Sequence, residues 1–176
     1  ETQAMIEAYD YTGINTLVDI GGGNGTVLSA VLKKNPTMTG ILYDLPGVVE
    51  RSKKNLADAG LATRCQTVAG DFFESAPPGG DAYQMRHIIH DWNDEQAATI
   101  LRNCARSMTP RGRVAIVEMV IPDDRSATPA QLVDVNMLAI LPGRERTQAE
   151  YPPPPSPPGP APQPPAPPPP PVHAPA

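Results

Sequence analysis

Two histidines three residues apart, with an acid and a tryptophan behind them, stand in HIIHDWNDE at 87–95. His87, His90 and Asp91 are residue types that can ligate a metal, pair a general base with an orienting acid, or simply close a strand into a helix. A second signal is DIGGGNG at 19–25, with glycines at 21, 22, 23 and 25. Glycine at that density lets a backbone turn sharply and approach a ligand closely. Asp44 and Asp71 close two further apolar runs, and Phe72 follows the second acid. A carboxylate in such a place can accept hydrogen bonds from a ribose diol or an adenine amino group, and a phenyl ring can pack on a base. Taken singly, each acid is an ordinary cap or turn residue. Three acids and a glycine loop after successive strands point to a nucleotide-like ligand.

Alternation of strand and helix explains why these residues should meet. TLVDI (16–20) reads as a buried strand that stops at the glycines, and VLSAVLKKNP as a helix ended by Pro36. MTGILYDL (38–45) is a second strand. Pro46 opens a helix that runs to about Ala59, with Gly60 as its C-cap. CQTVAGDFF (65–73) and AYQMRHII (82–89) are a third and a fourth strand. Asn93 or Asp94 caps a helix to about Met108. RGRVAIVEMVIP (111–122) is a fifth strand, and 128–141 a last helix. The order implies an α/β, doubly wound, mostly parallel Rossmann-like sheet, whose ligands bind at the carboxyl ends of the strands. If 82–89 is one strand, alternation sends His87 and His90 to opposite sides. That disfavours a metal site, makes His87 a structural strand-end residue and leaves His90 as the reactive one, with Trp92 as a packing anchor. A turn between the two histidines would let them converge.

Composition narrows the partners. The net charge is −5 over 176 residues, without a long basic run, which argues against nucleic acid. No apolar run is long enough to cross a membrane, and the first residues lack a signal-peptide pattern. A cytoplasmic protein is expected. Cys65 and Cys104 fit neither a C-x-x-C nor a zinc spacing and are expected to be free. Residues 152–176 are proline-rich and uncharged. They are expected to form a disordered, solvated tail after a folded unit at 1–151.

The glycine pattern separates two ligand classes. A dinucleotide fingerprint begun at Gly21 would need its third glycine at Thr26, so it fails. D-x-G-x-G-x-G fits from Asp19 through Gly21, Gly23 and Gly25. Together with ILYDLPGVVE, AGDFFES, RHIIHDWNDE, GRVAIVEMVIPD and GRERTQAE, in that order, the chain resembles the class I small-molecule O-methyltransferases that use S-adenosyl-L-methionine. Caffeic-acid, acetylserotonin and polyketide-tailoring enzymes are of this type. The resemblance covers 1–151 and implies a role for each matching position. Asp19, Gly21, Gly23 and Gly25 would line the methionine part of the cofactor. Asp44 would hold the ribose, Asp71 and Phe72 the adenine, and Leu45 would also bind the cofactor. Arg86 stands where many members have a lysine near the cofactor, and Asp91 would bind its methionine end or position the substrate. His90 would be the catalytic base, flanked by Glu118 and Glu145. Asn136, Met137 and Ile140 would touch a small-molecule hydroxyl acceptor, and no metal is required.

The resemblance also marks departures. The family has an N-terminal helical domain that forms a homodimer and closes the partner's pocket, and it continues past E-R-T-x-x-E-Y into further strands. Neither part is recognisable here, so the sheet is expected to lack its last strands and the unit to be incomplete at both ends, with the proline tail read out of frame. A genuine proline-rich linker or SH3-type ligand is the alternative for the tail. For function, the alternatives are a catalytically weak cofactor-binding fragment and a NAD-dependent oxidoreductase.

Overall fold

The computed structural model describes residues 2–124, 130–131, 133–134 and 143–151. After a short helix, α1 (Thr2–Ala8), strand and helix alternate except between β3 and β4: β1 (Thr16–Ile20), α2 (Thr26–Lys34), β2 (Thr39–Asp44), α3 (Pro46–Asp58), β3 (Cys65–Ala69), β4 (Ala82–Arg86), α4 (Asp94–Ser107) and β5 (Arg113–Val117). The five strands form one sheet in the order β3-β2-β1-β4-β5, and every neighbouring pair is parallel. The order reverses beside β1, so the carboxyl ends of β1 and β4 flank the switch point where doubly wound sheets bind ligands.

Two apolar clusters cover the two faces. Leu17, Leu28, Leu32, Leu42 and Leu56 belong to one, which α2 and α3 share with the sheet. Val18, Ile20, Tyr83, Met85, Ile100 and Cys104 belong to the other, under α4. Each strand therefore contributes alternate residues to opposite layers. The helix ends follow local chemistry. Asn93 caps α4 by accepting from the Gln96 N–H, and the Gln96 side chain accepts from the Asn93 N–H. Pro46 opens α3 at a position that has no N–H obligation. Both cysteines are buried and free. Among the described residues no helix is long and apolar enough to cross a membrane.

Three expected strands are too long. The third stops at Ala69, because Gly70 to Phe73 turn: the Asp71 carboxylate accepts the Phe73 N–H at 2.8 Å. The fourth stops at Arg86, where His87 takes a positive φ of 54° and a single 3₁₀ turn follows at Ile89–Asp91. The fifth breaks after Val117. Its remainder forms a separate two-residue strand, β6 (Val120–Ile121), paired in parallel with β7 (Arg146–Thr147). Of the expected last helix, residues 130, 131, 133 and 134 are helical, and the others lie outside the described residues, as does 152–176.

Candidate active site

The glycine turn leaves β1 and folds back on β2. The Gly21 and Gly22 N–H groups both donate to the Tyr43 carbonyl, at 2.8 and 3.3 Å. Gly23 donates to Asp44 Oδ2 at 2.8 Å, and Leu45 donates to Asp44 Oδ1 at 2.7 Å. Each carboxylate oxygen keeps a further lone pair, so Asp44 is positioned by the loop and still able to accept from a ligand. Gly21 has φ +66°, and a Cβ there would collide with the Ile88 side chain. The positive φ is what calls for glycine here, and a Cβ would in addition push the Ile88 side chain aside. Leu45 is 56% exposed beside Asp44, an unusual setting for a large aliphatic side chain.

Asp19 lies beneath this loop, buried, with Oδ1 accepting from Gln84 Nε2 at 3.2 Å. Gln84 in turn accepts from the Tyr11 hydroxyl. Oδ2 has no hydrogen-bond partner among the described residues. Burial pushes the Asp19 carboxyl up to about 7, the Gln84 bond and Arg86 opposing that rise. Asp19, Gly21, Gly22, Asn24, Arg86 and His87 line a cleft of about 210 Å³. Polar walls, a buried acid with a spare oxygen and Arg86 suit a small zwitterionic group. Asp71 ends the adjacent β3 turn, and Phe72 packs edge-on against Phe73 and Trp92 with centroids at 5.0 and 6.0 Å.

The other half of the site is built on Glu118, which follows β5. Its Oε1 accepts from three successive backbone N–H groups, those of Ile88, Ile89 and His90, at 3.0, 2.8 and 3.4 Å. One carboxylate thereby folds the segment after β4 into a tight turn. His90 is buried there, and its Nδ1 lies 2.7 Å from Glu145 Oε1 and 3.6 Å from Glu118 Oε2. Glu145 is the direct hydrogen-bond partner of the ring, and Glu118 Oε2 sits just beyond bonding distance. His90 Nε2 is 3.4 Å from Asp91 Oδ1. Burial raises the Asp91 carboxyl above the usual range, against the pull of His90 and His87. Burial also raises Glu118, against His90 and the three N–H donors.

The expectation that His87 and His90 point apart is corrected. The positive φ at His87 and the turn that follows bring the two rings face to face, 5.4 Å between centroids and 30° between planes. Side-chain alternation holds only while the chain stays extended, and Glu118 ends the extension.

Two residues that sequence reasoning did not single out hold this half together. Arg146 is 1% exposed, and its guanidinium donates to the carbonyls of Ile89 and Trp92 and to Asp94 Oδ1, at 3.1, 2.9 and 2.8 Å. It pins both ends of the 3₁₀ turn, while its neighbour Glu145 reaches His90. Gly143 passes so close that a Cβ would collide with the His90 carbonyl. The only sequence signal for either was their place in GRERT. Gln84 was also passed over; a polar residue within the apolar run of β4 was its clue. The structure therefore gathers His90, Asp91, Glu118 and Glu145 in one cluster, and Asp19, Gly21, Gly23, Gly25, Asp44 and Arg86 around the adjoining glycine turn. Asn136, Met137 and Ile140 lie outside the described residues.

Comparison with known proteins accords with this arrangement. Residues 1–153 match the O-methyltransferase domain family. Phenazine O-methyltransferase PhzM of Lysobacter antibioticus is 43% identical over 148 residues, covering 84% of this chain and 43% of that protein. Aclacinomycin 10-hydroxylase RdmB of Streptomyces purpurascens is 37% identical over 150 residues, 84% of this chain and 40% of that one. The crystal structure of the O-methyltransferase NcsB1 from neocarzinostatin biosynthesis, in complex with S-adenosyl-L-homocysteine and 1,4-dihydroxy-2-naphthoic acid, superposes with a TM-score of 0.77 at 34% identity. That match covers 84% of this chain and 44% of the other. The chain spans about two-fifths of the length of the curated relatives it matches.

Proposed function

The chain belongs to the O-methyltransferase domain family, and from that premise we propose that it transfers a methyl group from S-adenosyl-L-methionine to a hydroxyl of a small, flat, partly apolar molecule. His90 is the general base. The observation that carries this reading is the 2.7 Å contact between His90 Nδ1 and the buried Glu145, in a turn whose Ile88 side chain lies against Gly21 of the glycine loop. With Nδ1 donating to Glu145, Nε2 holds the lone pair. That neutral imidazole can take the hydroxyl proton as the oxygen attacks. Glu145 then stabilises the imidazolium that forms. Glu118 works mainly on the backbone, holding His90 in its turn.

When bound, the cofactor supplies an electrophilic methyl group on a sulfonium, so the chain's own tasks are binding, alignment and proton removal. Asp44 accepts from the ribose hydroxyls with the lone pairs the loop leaves free. Asp71 and Phe72 hold the adenine, and Leu45 gives it an apolar edge. Asp19, Arg86 and the glycine turn would hold the amino-acid end, and the Asp19 oxygen without a hydrogen-bond partner among the described residues would be available to it. Asp91, 3.4 Å from His90 Nε2, would bind the methionine end of the cofactor or position the substrate. The small-molecule partner is an aromatic hydroxyl compound, as the substances named for the relatives suggest; Asn136, Met137 and Ile140, outside the described residues, would select it.

RdmB keeps a second reading in view, since a relative of this family is named as a hydroxylase. Methyl transfer is favoured because an oriented buried imidazole is the group needed to deprotonate an acceptor. The test is transfer of labelled methyl to a panel of hydroxyphenazines, hydroxynaphthoates and catechols. His90→Ala should lower the rate by about 10²–10⁴ while S-adenosylhomocysteine still binds. An unchanged rate removes His90 as the base, and oxygenated product without methylated product supports hydroxylation.

A further inference from the structure

The turn after β4 does more than present one histidine. Glu118 Oε2 is buried, accepts no hydrogen bond among the described residues, and lies 3.5 Å from His87 Nδ1 and 3.6 Å from His90 Nδ1. Ligand atoms of His87, His90 and Glu118 all fall within 4.8 Å of one another. A tetrahedral ion with bonds of about 2.0–2.1 Å separates its ligand atoms by about 3.4 Å, so both nitrogen–oxygen spacings match the edges of such a site. Two imidazoles and one carboxylate are a donor set for borderline divalent transition metals and a poor one for Mg²⁺ or Ca²⁺, which prefer more oxygen ligands. His87 is about one-third exposed, and it borders both the polar cleft and a larger apolar one of about 570 Å³ lined by Met5, Tyr9, Ile116 and Met119, so an ion can enter from solvent.

We propose that His87, His90 and Glu118 bind one divalent transition-metal ion of the Zn²⁺ class, and that its binding switches off His90 as a base. Coordination at His90 Nδ1 displaces the hydrogen bond to Glu145. The ring's single proton moves to Nε2, so the ring keeps its proton count and loses the lone pair that would accept the substrate proton. Asp91 faces the other nitrogen and is not a ligand. The inhibitory consequence rests on the proposed role of His90; metal binding itself does not.

Titration of the full chain with Zn²⁺ by calorimetry and with Co²⁺ by visible absorption tests both parts. One ion per chain and an intense, four-coordinate Co²⁺ spectrum are expected, with no response to Mg²⁺. His87→Asn should weaken Zn²⁺ binding at least about tenfold. Whatever methyl transfer the variant retains in the presence of a chelator should be resistant to added Zn²⁺. His173→Ala, in the proline-rich segment, should leave Zn²⁺ binding as it was. A weak, six-coordinate Co²⁺ spectrum from the unaltered chain overturns the proposal, whether or not the His87 variant folds. So does a His87→Asn chain with an unchanged circular dichroism spectrum and unchanged Zn²⁺ affinity. If the chain shows no methyl transfer, the two metal titrations still decide the site, and only the proposed reaction fails.

Discussion

At Asp19 a carboxyl is buried with one oxygen bonded to Gln84 and the other without a hydrogen-bond partner. The unfolded chain releases this proton near pH 4, whereas the folded chain keeps it up to about 7. Between those values the folded state binds more protons, so stability from this group falls as pH rises through the window and the loss is complete above it. Asp19→Asn keeps the acceptor for Gln84 without the ionisation. It should melt several degrees above the parent at pH 8 and close to it at pH 4, as followed by circular dichroism; a lower melting point at pH 8 would contradict the burial argument. The same residues show what a sequence discloses at this scale. Asp19, Asp44, Asp71 and His90 were legible because a parallel sheet gathers the carboxyl ends of its strands along one edge. Glu118 was legible on the same edge, whereas Glu145 was reached only through family resemblance, since a contact across 55 residues leaves no local spacing to read. His87 was misplaced because the carboxylate that turns the chain there lies 30 residues further on.

The elements that set the site are the 3₁₀ turn at Ile89–Asp91, the β7 strand that carries Arg146, and the capped start of α4. The turn has one hydrogen-bonded carboxylate on its N–H side and one guanidinium on its carbonyl side, Glu118 and Arg146. Strand and helix identities were readable from apolar runs and capping residues, as at Asn93 and Pro46. Strand ends were not, because tertiary partners such as Glu118 decide where extension stops. Arg146→Lys tests the clamp. Lysine keeps the charge but lacks the planar fork that reaches two carbonyls and Asp94 at once, leaving buried acceptors unpaired. A loss of about 2 kcal/mol or more in denaturant unfolding is expected. Because Arg146 has no contact with the glycine loop, turnover should fall by more than S-adenosylhomocysteine affinity does. Equal losses in both would mean that Arg146 supports the fold without specifically positioning His90.

For the molecule as a whole, among the described residues Tyr151 is the last in the chain to pack against the second apolar cluster. Its ring sits under the Arg146 guanidinium at 6.0 Å. The segment 143–151 is thus part of the site, supplying Glu145, Arg146 and the close pass of Gly143, whereas 152–176 brings no charge and few large apolar residues. Order along the chain and energetic importance diverge at this point, and truncation separates them. A chain ending at 151 should melt within about 2 °C of the full chain and bind S-adenosylhomocysteine equally well. A chain ending at 142 loses the buried guanidinium and its hydrogen bonds to the His90 turn. With several kcal/mol removed and a shift of about 2–4 °C for each, its melting point should drop by roughly 5 °C or more and methyl transfer should vanish. Cofactor affinity should fall less than activity, because Asp19, Asp44, the glycine turn and Asp71 are carried by β1, β2 and the turns after β1 and β3, which the truncation leaves in place. Equal melting points for the two truncated chains would show that Glu145 and Arg146 contribute little to the fold around His90.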